Sequence, residues 1–272
     1  MNKEDYLIQN LSSAYIGDDG AVVGDKIYSM DAFFENVHFK REWMSLGQIA
    51  RKAMLVNLSD AVAMNAQPLY ALITLSLPKD ITTEDIDEIS ASLHKVAAEY
   101  SCEIIGGDTI AGERLDFSIT IISESENPLT RKGLEEGYLL AYTGRLGESK
   151  KDLNRLFNGE KISDNSRFIE PILRSEFIEK SRPYLSVGMD ISDGLFCDTN
   201  KLLAYNDLGF EPIIDIEDEV GSSGEEYEML IGFDAKNREA IEKIANDLNV
   251  PLTLFAKVAD NNRRFECVGH HF

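Results

Sequence analysis

The chain is poor in the features that define several protein classes. Its three cysteines, Cys102, Cys197 and Cys267, are odd in number and lack CxxC spacing, which argues against a disulfide framework or a zinc site. No apolar run approaches the roughly 18–20 residues that cross a membrane. Basic residues are scarce: 27 Lys and Arg stand against 48 Asp and Glu, a formal net charge of -21. Such a surface repels nucleic acid and anionic membrane, and a nucleotide would reach it only through bridging cations or local basic residues. The opening residues Met1 to Tyr6 lack the basic start and apolar core of a secretory signal, so a cytoplasmic location is expected. No Gly-x-x-x-x-Gly-Lys-Ser/Thr stretch and no set of protein-kinase motifs occurs.

What is present suits a folded protein with a large core: 272 residues, 43% hydrophobic and 28% charged. Residues 21–34 read as a hairpin turning at Gly24-Asp25. Apolar residues at Leu46, Ile49, Ala50, Ala53, Met54, Leu58 and Ala61 follow helical spacing. Strand 69–77, a helix from Thr82 or Thr83 to about Tyr100, a short buried strand 103–105 and an alternating strand 115–121 follow. The polar segment 127–137 marks a boundary, dividing the chain into 1–135 and 136–272. Beyond it the pattern predicts strands at 138–142, 186–189, 212–216, 227–233 and 252–258, and helices near 148–157, 166–180, 193–205 and 235–248. Hairpins coexist with crossovers, so the fold class is α+β rather than a doubly wound sheet.

Five aspartate motifs punctuate this pattern: Gly17-Asp18-Asp19-Gly20, Ser29-Met30-Asp31, Asn57-Leu58-Ser59-Asp60, Gly106-Gly107-Asp108-Thr109 and Asp190-Ile191-Ser192-Asp193-Gly194. Each alone is explicable as a turn, a cap or a solvated acid. Clustered in space, carboxylates repel one another unless a cation sits among them, and Mg²⁺ is commonly held by a few carboxylates together with substrate phosphates. His38 alone reads as an ordinary histidine, and Arg131 alone as a solvated arginine or a phosphate contact.

The order of the motifs is more specific than any one of them. Gly-Asp-Asp, Asp31 with Val37-His38-Phe39, Val56-Asn57-Leu58-Ser59-Asp60, Ile105-Gly106-Gly107-Asp108-Thr109, Thr130-Arg131, Tyr142-Thr143-Gly144, Asp190-Ile191-Ser192-Asp193-Gly194-Leu195 and Gly224-Glu225-Glu226-Tyr227-Glu228 together resemble the thiamine-monophosphate kinase family, from about residue 16 to 232. That family shares a fold with aminoimidazole ribonucleotide synthetase. The resemblance implies two α+β domains: an N-terminal ATP- and Mg²⁺-binding domain whose mixed sheet pairs in a homodimer, and a C-terminal α+β domain. It implies direct, in-line transfer of the γ-phosphoryl of ATP to thiamine monophosphate, assisted by several Mg²⁺ ions. Carried over by motif, Asp19, Ser29, Asp31, Asp60, Asp108, Asp190 and Asp193 would bind metal. Gly107, Asp108, Arg131 and Ser192 would approach ATP. His38 and Glu225 would face thiamine monophosphate, with Phe265 a candidate for stacking on its rings.

The chain departs from the family at Met30, where Thr is usual, at Glu226, where Asp is usual, and in a shortened stretch between Ile216 and Gly221. Two rival readings remain at this level. One is another ATP-using enzyme of the superfamily, such as selenophosphate synthetase, aminoimidazole ribonucleotide synthetase or the hydrogenase-maturation carbamoyl dehydratase, which ends in a reactive cysteine where this chain has Gly269-His270-His271-Phe272. The other is a non-catalytic binder of nucleotide or thiamine phosphate.

Overall fold

Two five-stranded sheets organise the chain in a computed structural model that describes residues 3–11 and 13–267. The terminal Gly269 to Phe272 therefore lies outside the described residues. The first sheet contains β1 (Ala21–Val23), β2 (Lys26–Phe34), β3 (Gln67–Leu77), β4 (Glu103–Ala111) and β5 (Asp116–Glu124), ordered β1-β2-β5-β3-β4. Its neighbours are antiparallel except for the parallel pair β3–β4. The second contains β6 (Leu139–Thr143), β7 (Val187–Asp190), β8 (Gly209–Pro212), β9 (Met229–Phe233) and β10 (Leu252–Ala259), ordered β7-β9-β6-β10-β8 and antiparallel throughout. The α+β reading holds.

A short helix α1 (Lys3–Leu11) precedes the first sheet. Helix α2 (Leu46–Ala63) begins at a capping box, in which Gln48 N–H donates to Ser45 Oγ and Ser45 N–H donates to Gln48 Oε1. It packs against β2 and β5 on one side and touches β7 on the other. Helices with apolar residues all round belong in interiors, and α2 buries Lys52, Asn57 and Ser59 as well as its aliphatic residues. Three polar side chains in so apolar a helix need partners, and those partners build the site. Helix α3 (Thr83–Glu99) repeats the capping box through Thr82 and Asp85 and covers α2. The second sheet carries α4 (Glu148–Phe157), α5 (Ser175–Ser181), α6 (Leu195–Tyr205), a four-residue turn α7 (Asp218–Gly221) and α8 (Arg238–Asp247).

Several sequence expectations need correction. The helix expected over 166–180 forms only as α5, because Pro171 cannot donate a backbone hydrogen bond or leave room for the preceding turn. The strand expected at 212–216 pairs only over 209–212, because beyond Pro212 the N–H groups of Ile213 and Ile214 both turn to one acceptor, the Phe255 carbonyl, and the ladder stops. The short buried strand at 103–105 is in fact nine residues long, exposed and at a sheet edge, and it runs straight through Gly106-Gly107-Asp108. Cys197 and Cys267, 70 residues apart in sequence, are disulfide-bonded, with Cα atoms 5.4 Å apart. Spacing along the chain did not reveal a pairing made by the tertiary fold.

Gly107 has a steric role within this sheet. Its φ is +149°, and a Cβ there would stand 1.7 Å from the carbonyl oxygen of Ile73 on β3. Gly107→Ala is expected to pry β4 from β3 and to cost about 1–3 kcal/mol, the usual range for overpacking. Urea unfolding checks this; a variant as stable as the parent would contradict the close approach.

Candidate active site

Three separate elements deliver carboxylates to one point. Asp19 comes from the 17–20 turn, Asp60 from α2 and Asp190 from the end of β7, and one oxygen from each lies within 4.8 Å of the others. Each is held by a local device. Arg131 donates its backbone N–H to Asp18 Oδ1 at 2.6 Å and its guanidinium to Asp19, pinning the turn from both sides. Ser59 Oγ donates to Asp190 Oδ2 at 2.6 Å, tying α2 to the second sheet. Asp31 approaches from β2, with its N–H donating to Asn57 Oδ1 at 2.8 Å. Asn57 itself donates to the Ala53 carbonyl one turn back.

Burial and mutual repulsion both act on this cluster. Burial pushes the Asp60 carboxyl well above the ordinary range, and the charges of Asp31, Asp190 and Asp19 push it further. Asp190 is raised by burial and then by Asp19, against the lowering hydrogen bond from Ser59. Asp19 is raised by burial, opposed by Arg131. The second oxygen of Asp19 and the hydroxyl of Ser29 are buried with no hydrogen-bond partner among the described residues. Orphaned oxygens beside crowded carboxylates are the donor set that a hard divalent cation requires. The residues therefore fit Mg²⁺.

Beside the cluster lies a cavity of about 280 Å³ lined by His38, Lys150, Phe168, Ser192, Asp193 and Glu225, among others. Phe34 N–H donates to His38 Nδ1 at 2.9 Å, which leaves the imidazole proton on Nε2. Asp193 Oδ2 accepts from Lys201 Nζ at 2.5 Å. The 225–228 segment shapes the opposite wall through a strained backbone, with φ of +56° at Glu225 and +51° at Tyr227. That zigzag sends four side chains different ways. Glu225 meets Lys52 Nζ at 2.7 Å on the cavity wall. Glu226 accepts the Gly147 N–H at 2.7 Å and Ser223 Oγ at 2.5 Å, capping α4. Tyr227 turns toward the aspartates, its phenol pushed up by burial and then by Glu225, Asp31, Asp190 and Asp60. Glu228 is bound by Thr143, Arg167 and Arg174.

The structure thus gathers Asp19, Asp60 and Asp190 at one point, with Asp31 close enough to raise Asp60 and Asp190, Ser29 two residues before it on β2, Arg131 on Asp19, and Ser192, Asp193, His38 and Glu225 at the adjoining cavity. It does not bring Gly107, Asp108 or Phe265 there. Asp31 pairs with Ile119, Ile119 with Ile73 and Ile73 with Gly107. Gly107 therefore stands three strand spacings, about 14 Å, from Asp31. Asp108 falls one residue on, in the row of Ala32, Ser118 and Thr74, and so projects from the opposite face of the sheet. Met30 is also on that open face, 66% exposed, so its side chain turns away from the aspartate cluster of its own chain. Phe265 is spent on packing, its ring 4.4 Å from Phe196 and 4.3 Å from Phe210.

Sequence reasoning missed Lys52. It is fully buried, and its Nζ lies 3.6 Å from the Phe168 ring centroid as well as against Glu225. Burial lowers its pKa, while Glu225 counters that shift. A lysine within an apolar helical face was the available signal. Tyr227 was also missed, since only the fold turns it toward the aspartates.

Residues 17–124 match the family described as AIR synthase related protein, N-terminal domain. A thiamine-monophosphate kinase from Rhodopirellula baltica is 32% identical over 277 residues, covering 89% of this chain and 82% of that protein. The chain belongs to the thiamine-monophosphate kinase family. Another member, from Aquifex aeolicus, is 30% identical over 217 residues, covering 76% of this chain and 71% of that protein. A solved structure of AaThiL complexed with AMPPCP and TMP superposes with a TM-score of 0.86, at 24% identity, over 99% of this chain and 96% of that one. The two structures share one fold along nearly their whole length.

Proposed function

We propose that the chain phosphorylates thiamine monophosphate with ATP, giving thiamine diphosphate and ADP. The observation that carries this reading, within the kinase family, is the meeting of Asp19, Asp60 and Asp190 beside a cavity shared by Ser192, Asp193, His38 and Glu225. An oxygen of the acceptor phosphate attacks the γ-phosphorus in line as the bond to the β,γ-bridging oxygen breaks, and ADP carries away that oxygen. A phosphate monoester is already ionised near neutral pH, so no strong general base is needed. Placement and charge stabilisation supply most of the acceleration.

The roles of individual residues follow from position. Asp19, Asp31, Asp60 and Asp190, with Ser29, would hold Mg²⁺, and Asp193 would hold a further ion. Bound there, Mg²⁺ neutralises the charge of the phosphate oxygens. Arg131 holds the Asp19 turn in place, and its guanidinium would also meet a nucleotide phosphate. Glu225 and His38 orient the thiamine moiety, and Lys52 fixes the Glu225 carboxylate on the cavity wall by donating to it at 2.7 Å. Purified protein supplied with ATP, Mg²⁺ and thiamine monophosphate is expected to form thiamine diphosphate and ADP in equal amounts. No product would overturn the reading.

The working form we propose is a homodimer in the cytoplasm, with residues 1–135 forming the ATP- and Mg²⁺-binding, dimer-forming part and 136–272 the rest. The open face and edge of the first sheet expose Tyr28, Met30, Tyr70, Leu72, Ile105 and Ile110, an apolar surface suited to a second copy. Gly107 and Asp108, remote from the cluster of their own chain, would then serve the site of the other subunit. Among the described residues no helix is long and apolar enough to cross a membrane. Mixing inactive Asp60→Asn and Asp108→Asn proteins is expected to restore activity, because hybrid dimers would hold one intact site; a mixture that stays inactive would contradict this arrangement.

A further inference from the structure

Among the described residues, Lys150 is the one lysine or arginine lining the cavity. Its position is unusual for a surface cation. It lies in the first turn of α4, where the helix dipole disfavours positive charge. The chain carries 48 acidic residues against 27 Lys and Arg, yet among the described residues the Lys150 ammonium has no carboxylate partner. Its hydrogen bond goes instead to a neutral group, Ser222 Oγ, at 2.7 Å. The backbone N–H of Lys150 donates to Ser223 Oγ at 3.1 Å, which fixes the start of α4 on the 222–223 segment.

That segment also locates the ammonium within the cavity. A Cβ on Gly194 would lie 3.2 Å from the Gly221 oxygen, the Ser222 carbonyl carbon and the Ser223 oxygen, so the Asp193-Gly194 turn rests directly on residues 221–223. Lys150, anchored to Ser222, therefore stands at the Ser192–Asp193 end of the cavity. This is the end continuous in sequence with Asp190 of the aspartate cluster. A half-buried cation without a counter-ion, at the end where phosphates must meet, is suited to an anionic ligand.

Building on the kinase reading, we propose that Lys150 binds the phosphate of the acceptor and makes the site prefer a phosphorylated thiamine over thiamine itself. Ser222 aims the ammonium. The short α7 turn brings the 222–223 segment close enough to do so, with Gly221 packed beneath Phe196 where any side chain would collide. The shortened second half of the chain thus supplies an acceptor contact of its own.

Thiamine monophosphate and thiamine are the decisive probes, because they share the same rings and differ in the phosphate alone. Calorimetric titration of the full chain, with Mg²⁺ and a non-hydrolysable ATP analogue present, compares the two ligands. Lys150→Met is expected to weaken thiamine monophosphate about tenfold, the loss of one charge-assisted hydrogen bond. Thiamine binding should stay within about twofold, as for a surface substitution outside any buried network. KM for thiamine monophosphate should rise with KM for ATP unchanged, and Lys150→Arg should recover most of the affinity. An unchanged ratio of the two affinities in Lys150→Met, alongside normal wild-type turnover, overturns the Lys150 assignment alone. Wild-type protein that forms no thiamine diphosphate overturns the kinase reading and this subsite with it.

Discussion

Asp60→Asn is expected to lower turnover about 10²- to 10³-fold, the scale set by removing one preorganised electrostatic contact to a transferring group, while making the metal-free protein more stable. Both effects have one origin. Asp60 is buried beside Asp19, Asp31 and Asp190, and burial followed by their charges raises its pKa well above the ordinary carboxylate value. Between the unfolded value, about 3.9, and that raised value, the folded state holds a proton that the unfolded state has lost, so stability falls as pH climbs through this window. Asparagine keeps the shape and removes the repulsion. Metal-free wild-type protein should therefore lose stability from mildly acidic to neutral pH more steeply than the variant. Added Mg²⁺ should raise the melting temperature of the wild type more than that of Asp60→Asn. Thermal melts across pH, with and without Mg²⁺, read all of this. Wild-type turnover in the variant would remove Asp60 from the metal site, and an unchanged melting profile would mean the carboxylates do not strain the fold.

Glu228→Ala is expected to destabilise the fold by about 3–5 kcal/mol, the usual cost of breaking a buried ion pair by removing one partner. Glu228 is fully buried and accepts from Arg167 at 2.6 Å, from Arg174 Nη2 and Nε at 2.5 and 2.7 Å, and from Thr143 Oγ1 at 2.6 Å. Its loss would strand two guanidinium groups, each more than four-fifths buried, and release the Thr143 hydroxyl, which also accepts the Met229 N–H at 2.8 Å. Since Glu225 and Tyr227 lie on the same strained segment, their cavity wall should loosen as well. Urea unfolding gives the stability change, and a loss under about 1 kcal/mol would show that the arginines find other partners. Glu228→Gln, which keeps the acceptor and its volume, should cost less.

The fold and the family were legible in the sequence because they rest on local pattern and on order. Helix α2 is written in the spacing of Leu46, Ile49, Ala53 and Leu58, and its start in the pair Ser45 and Gln48. The collinear aspartate motifs by their order alone resemble the kinase family. Errors came where pattern was weak or interrupted. Pro171 cut a helix that periodicity alone would extend, and the exposed edge strand β4 carries no alternation to mark its length.

The sequence by itself determined which residue types are present and in what order: hard-metal carboxylates flanked by glycine and serine, no reactive cysteine motif, and the family signature. Tertiary structure alone decided which of them meet. It joined Asp19, Asp60 and Asp190 from three distant segments, buried Lys52 against Glu225, and bonded Cys197 to Cys267. It also set Asp108 three strands away on the other face of its sheet, and placed Lys150 at the cavity's phosphate end. The reason is physical. Local hydrogen bonding and side-chain periodicity act over a few residues and leave a trace in sequence, whereas pleat, strand register and helix packing fix distances between residues a hundred positions apart.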